Sequence, residues 1–99
     1  MKVIYHSRGV CYLLKDQDQH IINVNSGRGA VGFSISVELS KEQEAAYLNV
    51  GESYLNELAE DIHQNQSAYL ECEIDTDRKE IMHTAMKQWR KENDIDYTK

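Results

Sequence analysis

The sequence predicts an α+β fold: a single domain, residues 1–99, with two helices packed on one face of a five-stranded, antiparallel-rich sheet. Three observations predict this class. Short segments rich in β-branched and aromatic residues fill the first 40 positions, which is typical of strands. From Ser40 onward, apolar residues recur every three or four positions, as in amphipathic helices. A chain of 99 residues is the size of one domain with one hydrophobic core.

Four strands are predicted before the first helix. Segments 2–6 and 10–15 are separated by a turn signal, and segment 20–25 follows a polar turn. The fourth strand has the clearest pattern, because its apolar residues alternate strictly with polar ones, as in a strand with one buried face. These apolar residues are Phe33, Ile35, Val37 and Leu39.

The segment GRGAVG, residues 27–32, matches the letters of the dinucleotide-binding pattern GxGxxG. That pattern binds a pyrophosphate only when its glycines open a helix, whose free N–H groups hold the phosphates. A strand pattern follows here instead. We therefore interpret the glycines as a hairpin loop and expect no nucleotide site.

The first helix is predicted to begin at the capping box SKEQ, residues 40–43, and to continue to about residue 64. Gly51 lies near its middle, where the helix either breaks into two or is closely packed against another part of the chain, and we expect it to be continuous or slightly kinked there. The predicted core stripe consists of Leu48, Leu55, Leu58, Ala59 and Ile62.

A fifth strand is predicted in the segment AYLECEID, residues 68–75, where Leu70, Cys72 and Ile74 alternate with polar residues. A second capping box, DRKE at residues 77–80, predicts the start of the last helix. The tail from about residue 93 is expected to be loosely ordered. The apolar side of the last helix consists of Ile81, Met82, Ala85, Met86 and Trp89.

No motif for catalysis or for a cofactor is recognisable, so the sequence predicts a protein that is not an enzyme and has no metal. The four histidines lack the spacing of a metal motif. Cys11 and Cys72 lie outside any CxxC pattern and are expected to be free, buried thiols, with a single disulfide or a redox role as the alternatives. No run of about 18 apolar residues and no signal peptide is found, which predicts a soluble, cytoplasmic protein.

Charge distribution is the most informative feature for function. The formal net charge is −6, and between Glu38 and Glu80 twelve acidic residues face three basic ones, a local net charge of −9. This charge disfavours nucleic acid, whose affinity depends on Lys and Arg, and favours a protein partner with a basic surface. General solubility is the alternative explanation.

The candidate partner-binding residues lie in this acidic segment. The predicted fifth strand places Tyr69, Glu71, Glu73 and Asp75 on its outward face, where a solvated face or a divalent-cation site is the alternative reading. Tyrosines flanked by carboxylates are typical of protein-binding surfaces, although the helical tyrosines can instead border the core. The candidates on the long helix are Glu52, Tyr54 and Glu60.

The segment VELSKEQEAAYLNVGESYLNELAEDIHQNQSAYLECEI, residues 37–74, resembles bacterial immunity proteins of polymorphic-toxin and contact-dependent growth-inhibition systems in size, charge and element order. The resemblance implies a non-enzymatic cytoplasmic protein that binds and blocks one cognate toxin, often a nuclease with a basic cleft. It carries no diagnostic motif, so it assigns no residue. A self-associating assembly module and a small enzyme built from His and carboxylates remain the other hypotheses.

Overall fold

The computed structural model of the chain describes residues 1–7, 9–25 and 34–93. The loop predicted at 27–32, the C-terminal tail and Phe33 of the predicted fourth strand lie outside these residues.

The first part of the chain forms a four-stranded antiparallel sheet whose strands neighbour one another in the order of the sequence. They are β1 (Lys2–Ser7), β2 (Cys11–Asp16), β3 (Gln19–Asn25) and β4 (Ser34–Glu38).

All helices of the described residues follow the sheet: α1 (Lys41–Val50), α2 (Glu52–Gln64), α3 (Gln66–Leu70) and α4 (Thr76–Glu92). The prediction of a single α+β domain with an antiparallel sheet is therefore confirmed. The predicted β-β-β-β-α-β-α order is not observed.

Helices cover both faces of the sheet, so the predicted packing of two helices on one face is wrong. Pairing of β2, β3 and β4 aligns Leu13, Ile22 and Val37 on one face, where they pack with the buried side chains of α2. The neighbouring pair Leu14 and Ile21 lies on the other face and packs with the buried methionines of α4. Burial on both faces explains why β2 and β3 carry continuous apolar runs instead of a strict alternation. The α2-facing residues form one core cluster and the α4-facing residues a second.

The predicted fifth strand is wrong. Its first residues belong to α3, and only Glu73 makes a bridge, antiparallel to Val37 of β4. Of the three apolar residues in the alternating pattern, Leu70 and Cys72 are exposed and only Ile74 is buried. A strand with alternating apolar residues is stabilised by burying its apolar face. Here most of that face is exposed, so the alternation did not indicate a strand.

Gly51 divides the predicted long helix into α1 and α2. Its backbone has φ 94° and ψ −153°, a conformation that is essentially restricted to glycine. The expectation of a continuous helix is therefore wrong, and Leu48, predicted in the core stripe, is 76% exposed. The other stripe residues on α2 are buried as predicted.

One of the two predicted helix N-caps is observed, and the other is not. Ser40 and Gln43 form the predicted capping box, with each side chain accepting a hydrogen bond from the other residue's N–H. The last helix begins earlier than predicted, because Asp75 is its N-cap and accepts from the N–H of Arg78. The prediction of a second capping box at 77–80 is therefore wrong.

Helices of the described residues are too short or too polar to cross a membrane.

Candidate protein-binding surface

Helix α2 separates apolar from acidic side chains. Leu55, Leu58, Ala59 and Ile62 face the sheet and are buried. The opposite side of the helix is acidic and has no Lys or Arg. We call its exposed carboxylates the acidic face of α2: Glu52, Glu57, Glu60 and Asp61. Two of the predicted site residues, Glu52 and Glu60, belong to this face.

Two of the three basic residues of the acidic segment, Arg78 and Lys79, pair with carboxylates outside α2. Arg78 on α4 binds Glu38 at 3.1 Å and Asp16 at 3.4 Å, and these carboxylates raise the pKa of its guanidinium. Lys79 binds Glu73 at 3.1 Å. The three carboxylates Asp16, Glu38 and Glu73 are thus partly neutralised by two cations. The acidic face of α2 is a separate region of negative charge.

Tyr69 is held by α2 and does not project from a strand. Its hydroxyl donates a hydrogen bond of 2.5 Å to Oδ2 of Asp61, and its ring packs against the core cluster that faces α2. The hydrogen bond to Asp61 is the main reason that the pKa of Tyr69 is raised to about 12. Asn65 donates to the other carboxylate oxygen of Asp61 at 3.0 Å. Asp61 therefore joins α2 to α3.

Tyr54 lies near the same contact. Its ring also packs against the core cluster that faces α2. Partial burial raises the pKa of the Tyr54 phenol, and the negative charges of Asp61 and Glu57 raise it further. The structure thus brings two of the predicted residues, Tyr54 and Tyr69, to the border of the acidic face of α2, where both are half-buried.

The predicted acidic row is not present as a row. Glu73 accepts from the N–H of Ser36 and from Lys79, both at 3.1 Å, so it fixes the chain to the outer edge of β4. Asp75 caps α4. Glu71 is exposed in the turn after α3. Two of the three carboxylates therefore have structural partners, and most of the exposed carboxylates of the candidate surface lie on α2.

Sequence reasoning missed an open groove between β1 and the junction of α1 and α2, which is lined by both apolar and polar groups. Its volume is about 420 Å³. The lining residues are Ile4, Tyr5, Tyr47, Leu48, Gly51 and Glu52. Gly51 was the available signal, because a glycine in a helical pattern marks a break. The pattern did not show that the break would leave Leu48 outside the core.

The side of the sheet that α4 covers carries more basic than acidic residues on its helix, unlike the α2 side. Helix α4 carries five basic and three acidic residues, with Lys87, Arg90 and Lys91 in its second half. The Arg90 guanidinium donates to the hydroxyl of Tyr12 at 3.2 Å, and the rings of His6, Tyr12 and Trp89 are in contact. The acidic face of α2 and the basic half of α4 therefore lie on different sides of the sheet.

Comparison with known proteins does not assign this chain to a family. No family model matches the chain, and no similar curated protein or solved structure is found.

Groups with catalytic or metal-binding chemistry are dispersed. Within residues 1–7, 9–25 and 34–93, no three His, Cys, Asp or Glu side chains are arranged to hold a metal ion. His20 is buried, with its Nδ1 3.6 Å from a carboxylate oxygen of Glu44 and its ring beside Tyr47. Both cysteines are free. Cys11 is buried as expected, and burial raises the pKa of its thiol to about 11, whereas Cys72 is exposed.

Proposed function

We propose that this chain is a non-catalytic, cytoplasmic binding protein that neutralises a basic-surfaced toxin enzyme of the nuclease type by covering its active site. The observation that carries the proposal is the acidic face of α2. It presents four exposed carboxylates on one helix without a Lys or Arg. A nuclease cleft that attracts phosphates also attracts such a surface, because both rely on complementary potential.

The fixed position of Asp61 within this surface supports the proposal. Asp61 is fixed by Tyr69 and Asn65, and the buried side of α2 is anchored in the core. Charges held in place lose little conformational entropy when a partner binds. Tyr54 and Tyr69, at the border of the face, supply aromatic contact area beside the carboxylates.

The pairing of Glu73 and Asp75 with other parts of the chain changes which predicted residues we assign to the partner. We assign the contact to Glu52, Glu57, Glu60 and Asp61, with Tyr54, Tyr69 and the exposed Glu71 at its border. Glu73 and Asp75 position α4 and the chain segment before it. Nucleic acid and membranes are not the proposed targets, since an acidic surface repels phosphates.

The first test is to search the coding sequences beside the gene for this chain for a toxin-like domain, and the absence of one would count against the proposal; a domain found there is then produced and mixed with the chain. The chain is expected to bind the domain, to inhibit its nuclease activity and to protect cells that express it. The double variant Glu52→Lys/Glu57→Lys should lower the association rate at low salt about tenfold. The matched control, Glu80→Lys/Glu92→Lys, makes the same change in net charge at exposed positions of α4 and should change the rate much less. Equal effects of the two double variants would contradict the proposed surface.

Self-association is the second candidate function, favoured by the exposed apolar residues of α1. Leu48 and Val50 are 76% and 56% exposed. The net charge of −6 opposes it, because two copies repel each other. A stable dimer in light scattering, insensitive to salt, would favour this function over the first.

A further inference from the structure

Helix α1 carries apolar side chains that stay exposed among residues 1–7, 9–25 and 34–93. None of its ten residues is buried, although it carries Tyr47, Leu48 and Val50. Across the groove, Ile4 on β1 is 40% exposed. Neighbouring exposed apolar residues of this kind mark binding sites in soluble proteins.

The groove between these residues has the size of a receptor for side chains. Its volume of about 420 Å³ lies within the range of roughly 300–1,000 Å³ that is usual for binding clefts. The backbone turn at Gly51 opens it. A Cβ atom placed on Gly51 would have no neighbour within 4 Å, so the floor is open to an incoming group.

The β1 side of the groove is poorly suited to the addition of another strand. The register between β1 and β2 shifts between Val3 and Tyr5, which leaves Ile4 as an extra residue in a bulge. Bulges and lysines on an edge strand discourage pairing with a further strand, and Lys2 is exposed at the start of β1. The groove is therefore better suited to a side chain than to an extended backbone.

The charge around the groove selects the kind of partner. Glu52 lines it, and α1 and α2 together carry six acidic residues against the single base Lys41. A second copy would bring another net charge of −6 to this place. A basic partner would instead meet the complementary charge of Glu52 beside the apolar side chains of Ile4 and Leu48, and specific interfaces combine such charged and apolar contacts.

We propose that this groove is the anchoring site for an apolar side chain that projects from the basic surface of the partner. The inference rests on the proposed function, because the basic partner is the one proposed there. The acidic face of α2 attracts any basic surface, and the groove selects the surface that presents an apolar residue at the correct place. Specificity thus comes from the groove and association rate from the charges.

The test uses two synthetic lysine-rich peptides of equal length and charge as probes. One carries a central Leu-Trp pair and the other a central Ser-Ser pair, and their affinities for the full chain are measured by fluorescence anisotropy at low salt. We expect the Leu-Trp peptide to bind about tenfold more tightly, which corresponds to about 1.4 kcal/mol. Leu48→Asn and Ile4→Asn should remove this difference and leave binding of the Ser-Ser peptide unchanged. Both residues are exposed, so the fold should tolerate these changes.

Ile81→Asn is the matched control, because Ile81 on α4 is 55% exposed and does not line the groove. It should keep the tenfold preference. Equal, salt-dependent binding of both peptides would overturn the groove proposal and leave the proposed charge recognition standing. Failure of both peptides to bind would contradict both proposals. A dimer of the free chain that Leu48→Asn dissociates would assign the groove to a second copy and overturn the partner proposed here.

Discussion

Tyr69 on α3 donates a hydrogen bond of 2.5 Å to Asp61 on α2, across eight positions of the chain. This contact holds the short helix α3 against the longer one and fixes one carboxylate of the acidic face of α2. Since α3 has only five residues, it depends on such tertiary contacts for its stability.

Removal of this hydrogen bond should loosen α3. We expect Tyr69→Phe to lower the free energy of unfolding by about 0.5–1.5 kcal/mol, the usual contribution of one hydrogen bond. Urea denaturation followed by circular dichroism measures the change. Tyr54→Phe is the control, because Tyr54 packs against the same core cluster, and a loss of equal size in both variants would contradict the role of the Asp61 contact.

The same contact predicts a pH dependence of stability. The pKa of Tyr69 is raised from its ordinary value of about 10 to about 12 in the folded chain. A group whose pKa is higher in the folded state contributes stability below its unfolded pKa and loses it as the pH rises through the folded value. The contribution of Tyr69 should therefore be present below about pH 10 and disappear between about pH 10 and 12.

Phenolate absorbance measures this ionisation, and subtraction of the Tyr69→Phe spectrum isolates Tyr69 from the other five tyrosines. Asp61→Asn should lower the pKa of Tyr69 towards its ordinary value. An unshifted titration of Tyr69 in the wild-type chain would argue against the hydrogen bond.

Gly51 should tolerate no other residue without cost. Its φ of 94° with ψ of −153° lies in a region that costs other residues about 1–3 kcal/mol. Gly51→Ala is therefore expected to lower the free energy of unfolding by that amount, measured by urea denaturation. The exposed neighbour Ser53→Ala serves as the control and should stay within about 0.5 kcal/mol of the wild type. Equal stabilities of the two variants would contradict the conformation described for Gly51.

Arg78 should stabilise the junction between α4 and the sheet. It binds Asp16 and Glu38 with partly exposed side chains, so Arg78→Met is expected to cost up to about 1 kcal/mol at low salt. High salt should reduce the difference, because it screens the remaining repulsion of the two carboxylates. Lys87→Met on the exposed side of α4 controls for the loss of a positive charge. A salt-independent loss at Arg78 would point to packing instead of charge.

The two cysteines should differ in reactivity. Cys11 is buried and burial raises the pKa of its thiol to about 11, whereas Cys72 is exposed. Since the thiolate is the reactive form, iodoacetamide at neutral pH should label Cys72 in the native chain and both residues after denaturation. Mass spectrometry of the peptides distinguishes these outcomes, and rapid native labelling of Cys11 would show that its site is open.

Much of the sheet and the first cap was predictable, because these depend on local patterns. The alternation through β4 and the reciprocal hydrogen bonds of Ser40 and Gln43 are specified by residues close in sequence. The conformation of residues 68–75 was not predictable. It depends on contacts at the edge of β4, where Glu73 accepts hydrogen bonds from Ser36 and Lys79. Local alternation does not report such distant partners.

The negative charge of the candidate surface was predictable from the sequence, but the positions of its side chains were not. The excess of acidic residues in segment 38–80 can be counted in the sequence, but the contacts that Glu73 and Asp75 make within the chain cannot be read from it. The groove was missed because Leu48 fits the apolar stripe of a continuous helix. One glycine torsion moves it to the surface, and helical periodicity contains no information on that torsion.

The sheet divides the hydrophobic interior into two clusters, and substitutions in each cluster affect a different layer of the domain. The cluster under α2 supports the acidic face, and the cluster under α4 lies on the other side of β2 and β3. Distant, independent sites contribute additively to stability. Substitutions at Met82 and Met86, which lie across the sheet from the exposed side of α2, should therefore change the stability of the domain more than the surface offered to a partner. In evolutionary terms, the α4 layer can vary to compensate for residues on α2 that improve recognition at the expense of stability.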